Sequence, residues 1–166
     1  MSPYRERYHR DLSELKNLTK DLADQVGVAI EKSVIALTDC NVGLAREVIK
    51  KDQDMDDLSL RIENLCIELL SLQQPMARDL RRIIGILKIG IDLERIGDLA
   101  VDVARVTTQS QNKIQITKLE YIPRMADISK KMLEQSMEAL MNSDADLARQ
   151  VTKWDYEIDG LYVKAR

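Results

Sequence analysis

Apolar residues recur every three to four positions along nearly the whole chain, which is the spacing of one face of an α-helix. A turn-like segment at 38–43, a proline at position 75, a polar stretch at 107–113 and a break near position 142 interrupt this pattern. The pattern therefore predicts about five long helices, with approximate ranges 12–37, 44–73, 76–106, 123–141 and 144–166.

The composition supports an all-α fold. Phe is absent, aromatic residues make up 4% of the 166 positions, and the core must be built from Leu, Ile, Val, Met and Ala. Three prolines and six glycines are too few for the many turns of an all-β chain. Short turns between long amphipathic helices indicate antiparallel neighbours, so the first three helices are expected to form an up-down-up bundle.

The chain also repeats itself after 103 residues without a gap. The fourth and fifth predicted helices then fall on the first and second, with polar as well as apolar identities in register. We predict two three-helix bundles related by internal duplication, the second truncated because the mate of the third helix is missing. We expect either a truncated product or a partner that supplies the missing surface. The predicted units are a first repeat at 1–106, a linker at 107–118 and an incomplete second repeat at 119–166.

The charge balance argues against nucleic acid or an anionic membrane as a partner. The formal net charge is −3, and the N-terminus is too polar for a signal peptide. No apolar run approaches the ~20 residues of a membrane span. These features predict a cytoplasmic protein, in which Cys40 and Cys66 stay reduced.

Three acids, Glu94, Asp98 and Asp102, stand four residues apart in the third predicted helix. Each four-residue step turns a helix by about 400°, so the carboxylates form a row on one face. Like charges at this spacing repel each other, and a bound cation would offset that repulsion. The alternative is an ordinary solvated helix face, with Asp102 paired to Arg105.

A second pair with the same spacing, Asp52 and Asp56, lies on the second predicted helix and recurs after 103 residues as Asp155 and Asp159. Two neighbouring helices that each present such a pair could supply four or more oxygens to a hard cation or a small metal cluster. The alternative for Asp52 is a solvated helix start.

Three guanidinium groups open the third predicted helix, at Arg78, Arg81 and Arg82. They could bind phosphate or an acidic partner surface, or they could belong to a solvated turn paired locally with Asp79. No catalytic constellation accompanies them, since His9 is the only histidine and no glycine-rich phosphate loop or nucleophile elbow is present.

One stretch of the chain resembles the signature of the PhoU family. It combines a Gln-Pro-x-Ala-x-Asp-Leu-Arg segment at 74–81, Leu-Lys-Ile at 87–89, and Asp-Leu-Glu-Arg-Ile-Gly-Asp-x-Ala at 92–100. The resemblance covers essentially the whole chain and implies two three-helix bundles. Within it, Glu94 and Asp98 match the family's acidic metal motif, Asp102 continues the row, and Asp52 and Asp56 match less closely.

The resemblance implies a non-enzymatic negative regulator of phosphate uptake and of the phosphate-starvation response. Its expected partners are a phosphate ABC transporter ATPase and a phosphate-sensing histidine kinase, with membrane contact only through them, and a homodimer is expected. The family's acidic motifs imply iron or zinc. The expected second Glu-Arg-Ile-x-Asp motif is missing, so a complete second metal site is not predicted.

Two other functions remain open at this point. The chain could be a structural helical interaction module whose acids are solvated and hold no functional metal. It could also be a metal-dependent phosphohydrolase, although the sequence offers no evident base or nucleophile for that chemistry.

Overall fold

The computed structural model describes residues 3–73, 75–110 and 120–165, and the described residues are almost entirely helical. The prediction of an all-α fold is confirmed. In chain order the elements are α1 (Pro3–Thr38), α2 (Val42–Lys50), α3 (Asp52–Gln73), α4 (Ala77–Ser110), α5 (Tyr121–Asn142), α6 (Ala145–Val151), a 3₁₀ turn (Thr152–Trp154) and α7 (Asp155–Ala165).

The segment predicted as one second helix is two helices, so that prediction was wrong in this detail. The regular pattern of helical hydrogen bonds is interrupted at Lys51. Its N–H donates both to the carbonyl oxygen of Glu47, at 3.2 Å, and to that of Val48, at 3.0 Å. A bond to the third residue back tightens the last turn of a helix. The apolar period continues through this tightened turn, which is why the pattern hides the break.

The predicted linker at 107–118 is partly helical. α4 continues through Ser110, so positions 107–110 belong to that helix. Thr107 is buried, and its hydroxyl bonds the carbonyl oxygen of Val103 at 3.4 Å. Positions 111–118 lie outside the described residues.

The 103-residue repeat is visible in the backbone. Cys40 and Ser143, which are repeat mates, both adopt left-handed conformations, with φ of 52° and 55°. Each is followed by a capping residue, Asn41 or Asp144, whose N–H donates at 2.8 Å to the carbonyl oxygen five residues back. The break at Lys51 also has its counterpart in the 3₁₀ turn before α7. Two copies of one helix–turn–helix unit are therefore present.

α1 forms the centre of the first bundle. Its residues Leu15, Leu22 and Val26 are fully buried against α3 and α4, together with Ile62 and Ile83. Two buried hydroxyls on α1 are satisfied locally, because Thr19 donates to a carbonyl oxygen of its own helix at 2.7 Å and Ser33 to another at 3.0 Å. α5 packs on another side of α1, so the second unit is attached through the same central helix.

Two glycines let α3 and α4 approach closely. A Cβ at Gly97 would lie 3.2 Å from Met55 Sδ, and one at Gly90 would lie 3.2 Å from Ile62 Cγ2. These contacts show that the two helices are antiparallel, with the start of α3 beside the middle of α4. The acids of the two helices are thereby brought to one place. Within the described ranges, no helix is both long and apolar enough to cross a bilayer.

Candidate metal centre

The site lies where the first two turns of α3 face α4. Because the helix restarts after Lys51, Asp52 stands in the first turn of α3, where the helix dipole favours a carboxylate. Asp56 follows one turn later. On α4, Asp98 is one residue from Gly97, the point of close approach. The restart of the helix after Lys51 and the close approach at Gly97 thus place three carboxylates on two facing helices.

Asp52, Asp56 and Asp98 form a compact carboxylate group. One oxygen of each lies within 4.8 Å of the others. Oxygens that share a single ion at about 2.0–2.6 Å stand roughly 3–5 Å from one another. The three side chains are therefore spaced as ligands of one hard cation would be, and two of them, Asp56 and Asp98, are exposed to solvent.

Asp52 is the most constrained member of the group. Its side chain is 25% exposed, its Oδ2 pairs with Arg105 Nη2 at 3.1 Å, and its Oδ1 is buried without a hydrogen-bond partner among the described residues. Burial raises the pKa of Asp52, the Asp56 carboxylate raises it further, and Arg105 opposes the rise. A buried carboxylate oxygen without a donor is free to act as a metal ligand, so the donor set fits a cation.

Glu94 lies at the edge of this group. Burial raises the pKa of its carboxyl, and the charges of Asp98 and then Asp56 raise it further. Glu94 therefore interacts electrostatically with the three-carboxylate group. Its oxygens are not among the three that meet within 4.8 Å.

Asp102 is engaged differently from the other predicted ligands. Arg105 Nη1 donates to Asp102 Oδ1 at 2.8 Å, which is the pairing along α4 that the sequence offered as the alternative. The sequence did not indicate that the same guanidinium also reaches Asp52 on α3. The available signal was the seven-residue step from Asp98 to Arg105, which returns to the same helix face after about two turns.

The three predicted partner-binding arginines do not act as one group. Arg78 and Arg81 are exposed, whereas Arg82 is half-buried and donates through Nη2 to Ser143 Oγ at 2.9 Å. Arg82 thus ties the start of α4 to the turn between α5 and α6. Arg78 and Arg81 are the more exposed of the three, and the partner-binding role stays a prediction.

Two side chains that could act as base or nucleophile, His9 and Cys66, are respectively distant from the acids and unreactive. His9 lies about 25 Å along α1 from Val26, which packs beside the acid site. Burial, aided by the charge of Glu63, raises the pKa of the Cys66 thiol to about 11, which keeps it protonated near neutral pH.

Comparison with known proteins identifies the family to which this chain is similar. The profile of the PhoU domain matches residues 19–107 and 122–166. A relative from Aquifex aeolicus, described as a phosphate-specific transport system accessory protein PhoU homolog, is 39% identical over 92% of this chain and 69% of its own length. A relative of the same description from Zymomonas mobilis is 30% identical over 93% of this chain and 65% of its own length.

Two solved structures have the same fold. The crystal structure of PhoU from Pseudomonas aeruginosa superposes with a TM-score of 0.90 and 31% identity, covering 95% of this chain and 76% of that one. The phosphate transport system regulatory protein PhoU from Streptococcus pneumoniae superposes with a TM-score of 0.87 and 28% identity, covering 95% and 74%. The resemblance seen in the sequence is confirmed, and the chain belongs to the PhoU family.

Proposed function

We propose that this protein is an accessory protein of phosphate transport that acts as a negative regulator of the phosphate-starvation response. The support is its family membership and the description shared by its relatives. The proposed partners are the ATPase of a phosphate ABC transporter and a phosphate-sensing histidine kinase. The proposed setting is the cytoplasm, with the protein acting as a homodimer that meets the membrane only through its partners.

We further propose that the protein binds a metal ion, iron or zinc, at the α3–α4 face. The observation that carries this proposal is the meeting of Asp52, Asp56 and Asp98 within 4.8 Å. Glu94 is proposed as a further ligand because it lies on α4 one turn before Asp98, and because burial, then the charges of Asp98 and Asp56, raise the pKa of its carboxyl. Asp102 is paired with Arg105 through Oδ1 and would contribute through its other oxygen or after releasing the guanidinium.

The bound cation would supply positive charge to a face that otherwise carries several carboxylates. A regulator shifts its partner between states only if it binds one state more tightly than the other. An acidic face and the same face with its charge offset present different surfaces to a partner. Metal occupancy is therefore proposed to tune the regulatory contact rather than to catalyse a reaction.

The enzyme hypothesis has less support. In metal-dependent phosphoester hydrolysis the metal activates a bound water, and a neighbouring side chain commonly assists as general acid or base. His9 and Cys66 do not offer that assistance, for the reasons given above. A phosphatase assay with added Zn²⁺ or Fe²⁺ tests the point directly, and turnover lost on Asp98→Ala would favour the enzyme.

Gene deletion tests the regulatory proposal. In phosphate-rich medium the deletion strain should show raised alkaline phosphatase activity or another starvation output, and the wild-type gene should restore repression. An Asp98→Ala allele, expressed at the same level, should restore repression only in part. An Asp57→Ala allele is the matched control, because Asp57 is an exposed neighbour of Asp56 outside the carboxylate group.

The two proposals can be separated by these strains. Normal repression in the deletion strain would refute the pathway. Full repression by the Asp98→Ala allele would be compatible with the pathway assignment but would show that the metal has no role in signalling. That result is expected for a structural module whose acids hold no functional metal.

A further inference from the structure

The guanidinium of Arg105 connects the two helices of the acid site. Its Nη2 lies 3.1 Å from Asp52 Oδ2 on α3, and its Nη1 lies 2.8 Å from Asp102 Oδ1 on α4. Because each nitrogen serves a different helix, the group holds the start of α3 against α4 as well as neutralising charge.

The charged side chains that interact with Asp52 are mostly negative. Four acids, Asp52, Asp56, Asp98 and Asp102, interact electrostatically at this position, and Arg105 is the cation that opposes them at Asp52. Carboxylates held this close repel one another, so an arrangement without a counter-charge is unfavourable. Arg105 therefore supplies the positive charge that the acids need when no metal is bound.

The pairing also divides the two oxygens of Asp52. Arg105 takes Oδ2, and Oδ1 is left buried without a hydrogen-bond partner among the described residues. While the pair persists, Oδ1 is the more available oxygen of Asp52, because Oδ2 already accepts a hydrogen bond from a cation. A cation that needs both oxygens, or that draws the carboxylate toward Asp56, must displace the guanidinium.

We infer that Arg105 is a resident counter-ion of the acid site, and that a divalent cation competes with its guanidinium for Asp52. This inference rests on the metal site proposed above and adds that the chain itself limits the affinity of that site. Arg105 is thus a positioning residue, which stabilises the metal-free form at the expense of metal affinity.

The Arg105→Gln variant removes this positive charge. It should bind Zn²⁺ more tightly and should be less stable than wild type when no metal is bound. The Kd for Zn²⁺, measured by calorimetric titration of chelator-stripped protein, should fall by about tenfold, since a unit charge ~6 Å from a divalent ion in water-like surroundings changes its binding by about that factor. The melting temperature of the metal-free variant should drop by about 1–3 °C, because the acids lose their counter-charge.

Two matched variants separate charge from side effects. Lys88→Gln makes the same charge change at an exposed position of the same helix, about 25 Å away along its axis, and should leave both values unchanged. Arg105→Lys keeps the charge and should recover most of the wild-type Kd. A Lys variant that binds Zn²⁺ as tightly as the Gln variant would overturn the counter-ion role.

The outcomes distinguish this inference from the metal site itself. If wild type binds Zn²⁺ and loses it on Asp98→Ala, but Arg105→Gln binds equally or more weakly, the site stands and the counter-ion inference is wrong. If neither wild type nor Arg105→Gln binds Zn²⁺, both are wrong. Binding that appears only in Arg105→Gln would support the competition in its strongest form.

Discussion

Tyr8 on α1 carries a buried hydroxyl with no hydrogen bond of normal geometry among the described residues. Burial raises the pKa of this phenol to about 12, the nearby Asp79 carboxylate adds to the rise, and Arg82 opposes it. The folded protein therefore holds Tyr8 neutral at a pH where the unfolded chain would already ionise it. The resulting contribution to stability is present below pH 10 and is lost as the pH rises toward 12.

We predict that the Tyr8→Phe variant resists alkali better than wild type. Near neutral pH the two should differ little in free energy of unfolding, because the lost hydroxyl has only a weak interaction with Asp79 and no hydrogen bond of normal geometry among the described residues. Above pH 10 wild type should lose stability faster, by up to about 1.4 kcal/mol for each pH unit. Urea unfolding at pH 8, 10 and 11 checks this, and parallel curves for the two proteins would show that Tyr8 does not titrate as described.

A second residue-scale feature is the left-handed backbone at Cys40, with φ of 52°. This conformation places Cβ too close to the following carbonyl oxygen and costs roughly 1–2 kcal/mol for residues other than Gly, Asn or Asp. Gly gives up part of that advantage in the unfolded chain. We predict that Cys40→Gly raises the free energy of unfolding by about 0.5–1 kcal/mol.

The Cys40→Ala variant is the control for that gain, since it removes the thiol but keeps the Cβ. It should match wild type or fall slightly below it in urea unfolding. Equal stabilisation by Ala and Gly would trace the gain to the thiol instead of the backbone.

At the scale of elements, the seam between α3 and α4 determines how near the acids come. Gly90 packs against Ile62, a β-branched side chain with little freedom to move, whereas a Cβ at Gly85 would meet nothing within 4 Å. Both glycines weaken α4 by up to about 1 kcal/mol relative to Ala. Their replacement should therefore have different consequences.

We predict that Gly85→Ala stabilises the protein by about 0.5–1 kcal/mol, because the helix gains and nothing is displaced. Gly90→Ala should be less stable than Gly85→Ala by about 1–2 kcal/mol, since the helices must separate slightly at Ile62. Urea unfolding followed by circular dichroism at 222 nm measures both. A Gly90→Ala variant as stable as Gly85→Ala would mean that the seam is loosely packed.

The elements also show what the sequence could reveal. The helical period located α1, α4 and α5 because each keeps one apolar stripe over many turns. The break at Lys51 escaped notice because it changes hydrogen bonding without disturbing that stripe. Its recurrence before Asp155 was likewise hidden, although the repeat itself was legible from polar identities that helix packing does not require.

For the whole molecule, the acid site depends on how two helices dock. Spacing along α4 grouped Glu94, Asp98 and Asp102, and spacing along α3 grouped Asp52 and Asp56. Which members meet depends on register across the seam, which no single helix encodes. The docked helices bring Asp98 to the pair on α3 and turn Asp102 toward Arg105.

The metal content of protein purified without added metal tests the proposed site most directly. Wild type and Asp57→Ala should carry similar amounts of iron or zinc per chain by inductively coupled plasma mass spectrometry. Asp98→Ala should lose most of that metal while its helical circular dichroism stays nearly unchanged, because Asp98 is exposed and contributes little to the core. Equal metal in wild type and Asp98→Ala, or none in wild type even after incubation with Fe²⁺ or Zn²⁺, would contradict the metal centre.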